Sequence, residues 1–151
     1  MSGLKKFNFI FLLFLSLFTY AQRDAIHWSN DGLFFYSLED GNIVKNDPRK
    51  NSSVILVKKE LLTPKGETAS LEPDNYFFSN DNSKLLLFAN TEKVWRYRTR
   101  GDYWVADLQS GKLTKLGNGL PSQSLMFAKF SPDSKNVAYV SEHNIYVESI
   151  E

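Results

Sequence analysis

Beyond residue 21 the chain alternates short apolar runs with tight polar clusters. Leu33 to Tyr36, Leu85 to Phe88 and Val137 to Val140 are runs of Leu, Phe, Tyr, Val and Ala. Each follows a turn-forming cluster: Ser29-Asn30-Asp31-Gly32, Ser79-Asn80-Asp81-Asn82 and Ser131-Pro132-Asp133-Ser134. An aromatic residue stands just before each cluster, namely Trp28, Phe78 and Phe130. Asx side chains bond to nearby backbone, Gly tolerates positive φ, and Pro presets φ for a turn. Runs this short, built from β-branched and aromatic residues, suit strands. Each unit is therefore predicted to open as strand, tight turn, strand.

Further strands follow in each unit. The third is predicted at Ile43-Val44, Tyr103-Trp104-Val105 and Ile145-Tyr146-Val147; a fourth at Ser53 to Val57 and, past Gly111, through Leu116. Only Glu60 to Leu62 hints at helix. The turn aspartates lie 50 and 52 residues apart. Four short antiparallel strands repeating every ~40–50 residues is the pattern of propeller blades. The alternative is a β-sandwich whose hairpins resemble one another by chance. The expected fold is all-β: an incomplete β-propeller of about two and a half to three four-stranded antiparallel blades, with units near 26–62, 76–118 and 127–151. Propellers close with about four to eight blades, so the chain is expected to be the front piece of a larger protein or a truncated product.

The first residues carry a different pattern. Lys5 and Lys6 precede an apolar stretch from Phe7 to Phe18, and Thr19-Tyr20-Ala21 leads into polar Gln22-Arg23-Asp24. This is the charged, apolar and small-residue order of an export signal, and it falls short of the about 20 apolar residues of a membrane span. Residues 1–21 are predicted to be a helical signal peptide cleaved near Ala21, leaving 22–151 as a partial propeller domain, periplasmic or secreted, without stable membrane insertion. Charge is nearly balanced at 18 Lys+Arg against 17 Asp+Glu. That argues against a nucleic-acid partner chosen by bulk charge. The absence of cysteine removes disulfides, a thiol nucleophile and Cys-based metal sites from consideration. No cofactor is expected.

One unit is longer than its siblings. From turn aspartate to third strand is 12 residues in the first and third units and 22 in the second. The extra residues lie around Glu92 to Gly101 and read Lys93-Val94-Trp95-Arg96-Tyr97-Arg98-Thr99-Arg100-Gly101. Insertions confined to one repeat map to loops, often on a binding face. If the stretch is extended, alternation puts Arg96, Arg98 and Arg100 on one side and Trp95, Tyr97 and Thr99 on the other. The plain expectation is a hairpin with a solvated cationic side and a packed aromatic side. A guanidinium fork here could also grip carboxylates, phosphates or peptide carbonyls.

Trp95-Arg96-Tyr97, followed by Asp102-Tyr103-Trp104-Val105-Ala106-Asp107-Leu108, resembles the second-blade region of the dipeptidyl peptidase IV family. The stretch from Phe130 to Val140, then Asn144-Ile145-Tyr146-Val147, is similar to the blade that follows it. The likeness covers about Phe77 to Glu151 well and Ile26 to Leu62 loosely. It implies an N-terminal propeller joined to a C-terminal α/β-hydrolase domain, in a serine exopeptidase that removes N-terminal dipeptides, usually after Pro or Ala. In that family the Arg of the Trp-Arg pair hydrogen-bonds a substrate backbone carbonyl, a role that falls here on Arg96. The implied partners are a peptide N-terminus and a hydrolase domain, with self-association possible.

Other family features have no counterpart in this sequence. The glutamate pair that grips the substrate amine belongs to a later propeller segment, and no G-x-S-x-G nucleophile elbow occurs in the 151 residues. No catalytic residue is therefore assigned, and the chain is expected to be inactive alone. The rival reading is a non-enzymatic exported binding module. His27 and His143, the two histidines, lack any metal-binding spacing and are expected to be structural. Asp31, Asp81 and Asp133 are expected to cap turn backbone rather than bind a cation.

Overall fold

The structure, a computed structural model, describes residues 26–151; the predicted signal peptide and its cleavage point lie outside the described residues. Among the described residues eleven strands form three successive antiparallel meanders, with one short 3-10 helix besides. The first contains β1 (His27–Trp28), β2 (Phe35–Glu39), β3 (Asn42–Asp47) and β4 (Ser52–Val57), hydrogen-bonded in that order. The second contains β5 (Pro73–Phe78), β6 (Lys84–Val94), β7 (Tyr97–Asp107) and β8 (Leu113–Lys115). The third contains β9 (Leu125–Phe130), β10 (Asn136–Ser141) and β11 (Asn144–Ser149). The second and third are bridged by the single pair Gly101 and Leu125. The weak helical signal at Glu60 is the 3-10 turn Lys59–Leu62, in the connection between the first two meanders.

The three turns predicted from Ser-x-Asp share one geometry. In the second, the Ser79 hydroxyl donates to Asp81 at 2.6 Å and accepts the Lys84 N–H at 2.9 Å, while Asp81 accepts the Ser83 N–H at 3.0 Å. Ser29 and Asp31 repeat the pattern with Phe34 and Leu33. Ser131 and Asp133 repeat it with Asn136 and Lys135. These bonds hold all three aspartates below the usual carboxylate range, the serine hydroxyl being the largest cause in each. The residue after each aspartate has a left-handed φ: +67° at Gly32, +57° at Asn82 and +61° at Ser134. The turn requires that conformation, which is why Gly and Asn appear there. The first turn also consumes Leu33 and Phe34, since the Ser29 N–H bonds the Phe34 carbonyl. Strand β2 therefore starts two residues later than its apolar run.

The meanders stack face to face, as blades do. Alternation along β6 sends Leu85 and Leu87 to one face and Leu86 and Phe88 to the other. Leu85 and Leu87 pack with Ile43 and Val57 of the first meander, with Leu62 and with Tyr76. Leu86 and Phe88 pack with Leu125, Val137 and Tyr139 of the third. The middle sheet is thus covered on both faces, so its central run reads LLLF rather than alternating. Each of these leucines is fully buried, worth roughly 1.5–3 kcal/mol apiece relative to exposure. The outermost faces are open by comparison: Val54, Ile145 and Val147 are exposed.

Candidate functional site

The ten-residue insertion is a two-stranded arm formed by the far halves of β6 and β7. The two strands pair continuously from Lys84–Asp107 to Ala89–Asp102, bulge, and resume at Glu92–Arg100, Lys93–Arg98 and Val94–Tyr97. Trp95 and Arg96 form the reversing turn at the tip. Trp95 takes φ +60°, at the first central position of the turn, where hairpins ordinarily place Gly.

The alternation expected for this segment holds only in part. Arg96 lies in the turn, not on a strand face shared with Arg98 and Arg100. The aromatic side is not packed: Trp95 is 93% exposed and Tyr97 64% exposed. Among the described residues the arm is a lone two-stranded ribbon beyond residue 90, with no third element for those rings to bury against. Of the two arginines on the strands, Arg98 is hydrogen-bonded, whereas the buried Nε of Arg100 has no partner among the described residues. Arg98 donates from Nη1 to the Thr91 carbonyl and hydroxyl, both at 3.0 Å, and Thr91 in turn donates to Asp74 on β5. Arg100 is half-buried. Arg96 is exposed, and the ion pairs among the described residues are Arg49–Asp47, Lys115–Asp102 and Lys135–Glu151. Arg96 takes part in none of these. Beside the arm's root lies an open cleft of about 580 Å³ whose lining includes Glu72, Asp74, Asn90, Thr91 and Arg98.

Asp102, at the root, is a functional candidate that composition and spacing do not single out. It is buried. Asn90 Nδ2 donates to Oδ2 at 2.9 Å, the Gln123 N–H to Oδ1 at 2.9 Å, and the Ser122 hydroxyl to Oδ2 at 3.2 Å. Lys115 Nζ lies 3.2 Å from Oδ2. Burial pushes this carboxyl up, but the donors from Asn90, Gln123 and Lys115 outweigh it and hold the group below its usual range. In the sequence it shows as an acid directly after Gly101, midway along β7, and as the first residue of the family-like stretch Asp102 to Leu108, with no sign there of its partners.

Of the two histidines, one is held within the fold and one lies at the surface. His27 Nε2 lies 2.9 Å from Asn75 Oδ1, and its ring sits edge-on to Tyr76 and Phe77. His143 is exposed in the turn between β10 and β11.

Comparison with known proteins bears directly on the segment from the second turn onward. A family described as the dipeptidyl peptidase IV (DPP IV) N-terminal region matches residues 79–151, from Ser79 through the arm and the third meander. The chain carries the N-terminal region of the dipeptidyl peptidase IV family. A probable dipeptidyl-aminopeptidase B of Aspergillus oryzae is 33% identical over 105 residues, covering 70% of this chain and 11% of that protein. Dipeptidyl aminopeptidase B of Saccharomyces cerevisiae is 30% identical over 122 residues, covering 80% of the chain and 14% of that protein. The chain therefore spans only a small part of the length of the curated relatives it matches. The crystal structure of Porphyromonas gingivalis dipeptidyl peptidase 4 superposes with a TM-score of 0.71 at 22% identity, over 85% of this chain and 18% of that one. At that identity the likeness speaks for the fold, and it agrees with the stacked antiparallel meanders of this dipeptidyl peptidase IV segment.

Proposed function

We propose that this segment docks peptide N-termini for an exported dipeptidyl-peptidase-IV-like serine exopeptidase, acting with an α/β-hydrolase domain that supplies the nucleophile. Arg96 is the docking residue. The observation that carries this reading is the exposed Trp95-Arg96 pair at the tip of an arm that only the second meander possesses, within the residues matched by the DPP IV N-terminal region. A guanidinium held at a hairpin tip can donate to a substrate carbonyl and fix the scissile bond against a nucleophile. A charge-assisted hydrogen bond of this kind is worth about 1.5–3 kcal/mol, or at least about tenfold in kcat/KM.

In the complete peptidase, Arg96→Ala lowers kcat/KM on a Gly-Pro chromogenic substrate more than tenfold. Unchanged kinetics would remove Arg96 from the site. The chain assayed alone releases no product from the same substrate, and measurable turnover would assign it chemistry of its own. Export follows from residues 1–21 in the same proposal: mass spectrometry of the secreted product finds an N-terminus near Gln22, and an intact Met1 sinks that part.

A further inference from the structure

We propose that Asp102 is the positioning residue of the arm: its buried carboxylate fastens the arm's root to the connection between the second and third meanders, so that the tip is presented in one direction. What the tip presents rests on the docking reading of Arg96; the fastening itself does not.

Three observations converge on it. First, the arm past residue 90 has almost no apolar anchorage. Glu92, Lys93 and residues 95–98 are exposed, so the direction of the ribbon is set where it leaves the sheet. Second, that point is irregular. The ladder bulges between Ala89 and Glu92 and again between Glu92 and Lys93, and Asn90 has φ +48°. A bulged two-stranded ribbon has several ways to leave a sheet, and something must select one. Third, the groups around the irregularity converge on one carboxylate. Asn90 from β6, Lys115 from β8, and Ser122 and Gln123 from the inter-blade connection all point donors at Asp102. Gln123, itself at φ +59°, also donates from Nε2 to Asn90 Oδ1 at 3.0 Å. The two strained residues are thus bonded to each other and to the same acid. Strain of this kind persists only where surrounding contacts over-determine it.

The backbone beside Asp102 leaves little room to compensate. A Cβ on Gly101 would lie 2.5 Å from the Phe88 ring and 2.9 Å from the Ala89 carbonyl. Gly101 also makes the one backbone pairing with Leu125. The root is therefore a place where β6, β7, β8 and the following connection meet, and Asp102 is its shared acceptor. An ionised carboxylate is acceptor-only. Asparagine, nearly its equal in size, turns one of the two oxygens into a donor facing donors.

Because the chain has no cysteine, paired spin labels can be placed without background. In the full chain, labels at Lys93→Cys on the arm and Lys129→Cys on β9 report arm direction. Labels at Lys112→Cys and Lys129→Cys report the stacked sheets. Asp102→Asn broadens the arm-to-sheet distance distribution at least twofold and leaves the sheet-to-sheet distribution unchanged. Ser122→Ala with Gln123→Ala gives the same change to a smaller degree, and decides the matter if Asp102→Asn does not fold. An unchanged arm distribution, or equal broadening of both pairs, overturns the proposal, because Asp102 would then be either idle or a general support. Arg96→Ala leaves both distributions as they are. Failure of the docking reading therefore appears only in kinetics, and failure of the fastening only in distances.

Discussion

β6 and β7 each lead two lives. From Leu85 to Ala89 and from Tyr103 to Ala106 they run through the middle of the molecule, covered on both faces by neighbouring meanders. Past Asn90 the same two strands keep a bulged hydrogen-bonded ladder yet bury no side chain fully: residues 92, 93 and 95–98 are exposed and Thr91, Val94, Thr99 and Arg100 half-buried. One half is held by apolar burial from two directions, the other by a knot of polar bonds at its root. The difference separates two meanings of order. Burial fixes the sheet without regard to any particular polar contact, whereas the arm depends on one buried carboxylate and one glycine.

The sharpest way to break this contrast is to attack each half in turn. Leu86→Ala removes a fully buried side chain from the interface of the second and third meanders. It is expected to cost about 2–5 kcal/mol, read as a lower denaturant midpoint. A loss under about 1 kcal/mol would mean that the stacked core is loose. Gly101→Ala strikes the junction, where the neighbouring Ala89 carbonyl is backbone and cannot swing away. Overpacking there is expected to cost about 1–3 kcal/mol, again by equilibrium unfolding, and a neutral result would show that β6 yields at the root.

Acid sharpens the contrast at the carboxylate. Asp102 and the turn aspartates Asp31, Asp81 and Asp133 are held below their usual range in the folded chain. Over the interval between their folded and unfolded pKa values the unfolded chain binds more protons. Their contribution is thus present above the ordinary aspartate value of about 3.9 and lost as pH falls through the lower folded values. The thermal midpoint should stay level from neutral pH to about pH 5 and fall below about pH 4. Asp102→Asn should start lower and fall less steeply, and an identical slope would mean that Asp102 does not contribute. The smallest effect is expected at the arm tip. Trp95→Gly relieves a left-handed φ and removes a ring that touches little, so stability should change by no more than about 0.5 kcal/mol. A larger loss would show that the exposed ring is packed in solution.

Much of this was legible in the residues themselves. The three Ser-x-Asp turns, the apolar runs after them and the hairpins they imply are local, since a hydroxyl and a carboxylate two residues apart reach the same backbone wherever the chain lies. The insertion was legible too, because a length difference between repeats needs no tertiary information. The face it would bury was not. Alternation orders residues along a strand but does not say whether a neighbour exists to cover them, so Trp95 and Tyr97 read as packed and stand exposed. The part Asp102 plays was invisible for a related reason: its partners lie 12, 13, 20 and 21 residues away, and no local pattern joins them.

The sequence by itself determined the strand-turn-strand repeat, the excess length of the second unit and the Trp-Arg pair at its centre, all consequences of short-range sterics and hydrogen bonding. Only the tertiary structure decided which faces are buried, where the arm turns and which acid holds its root, because those depend on what long-range folding brings alongside each residue.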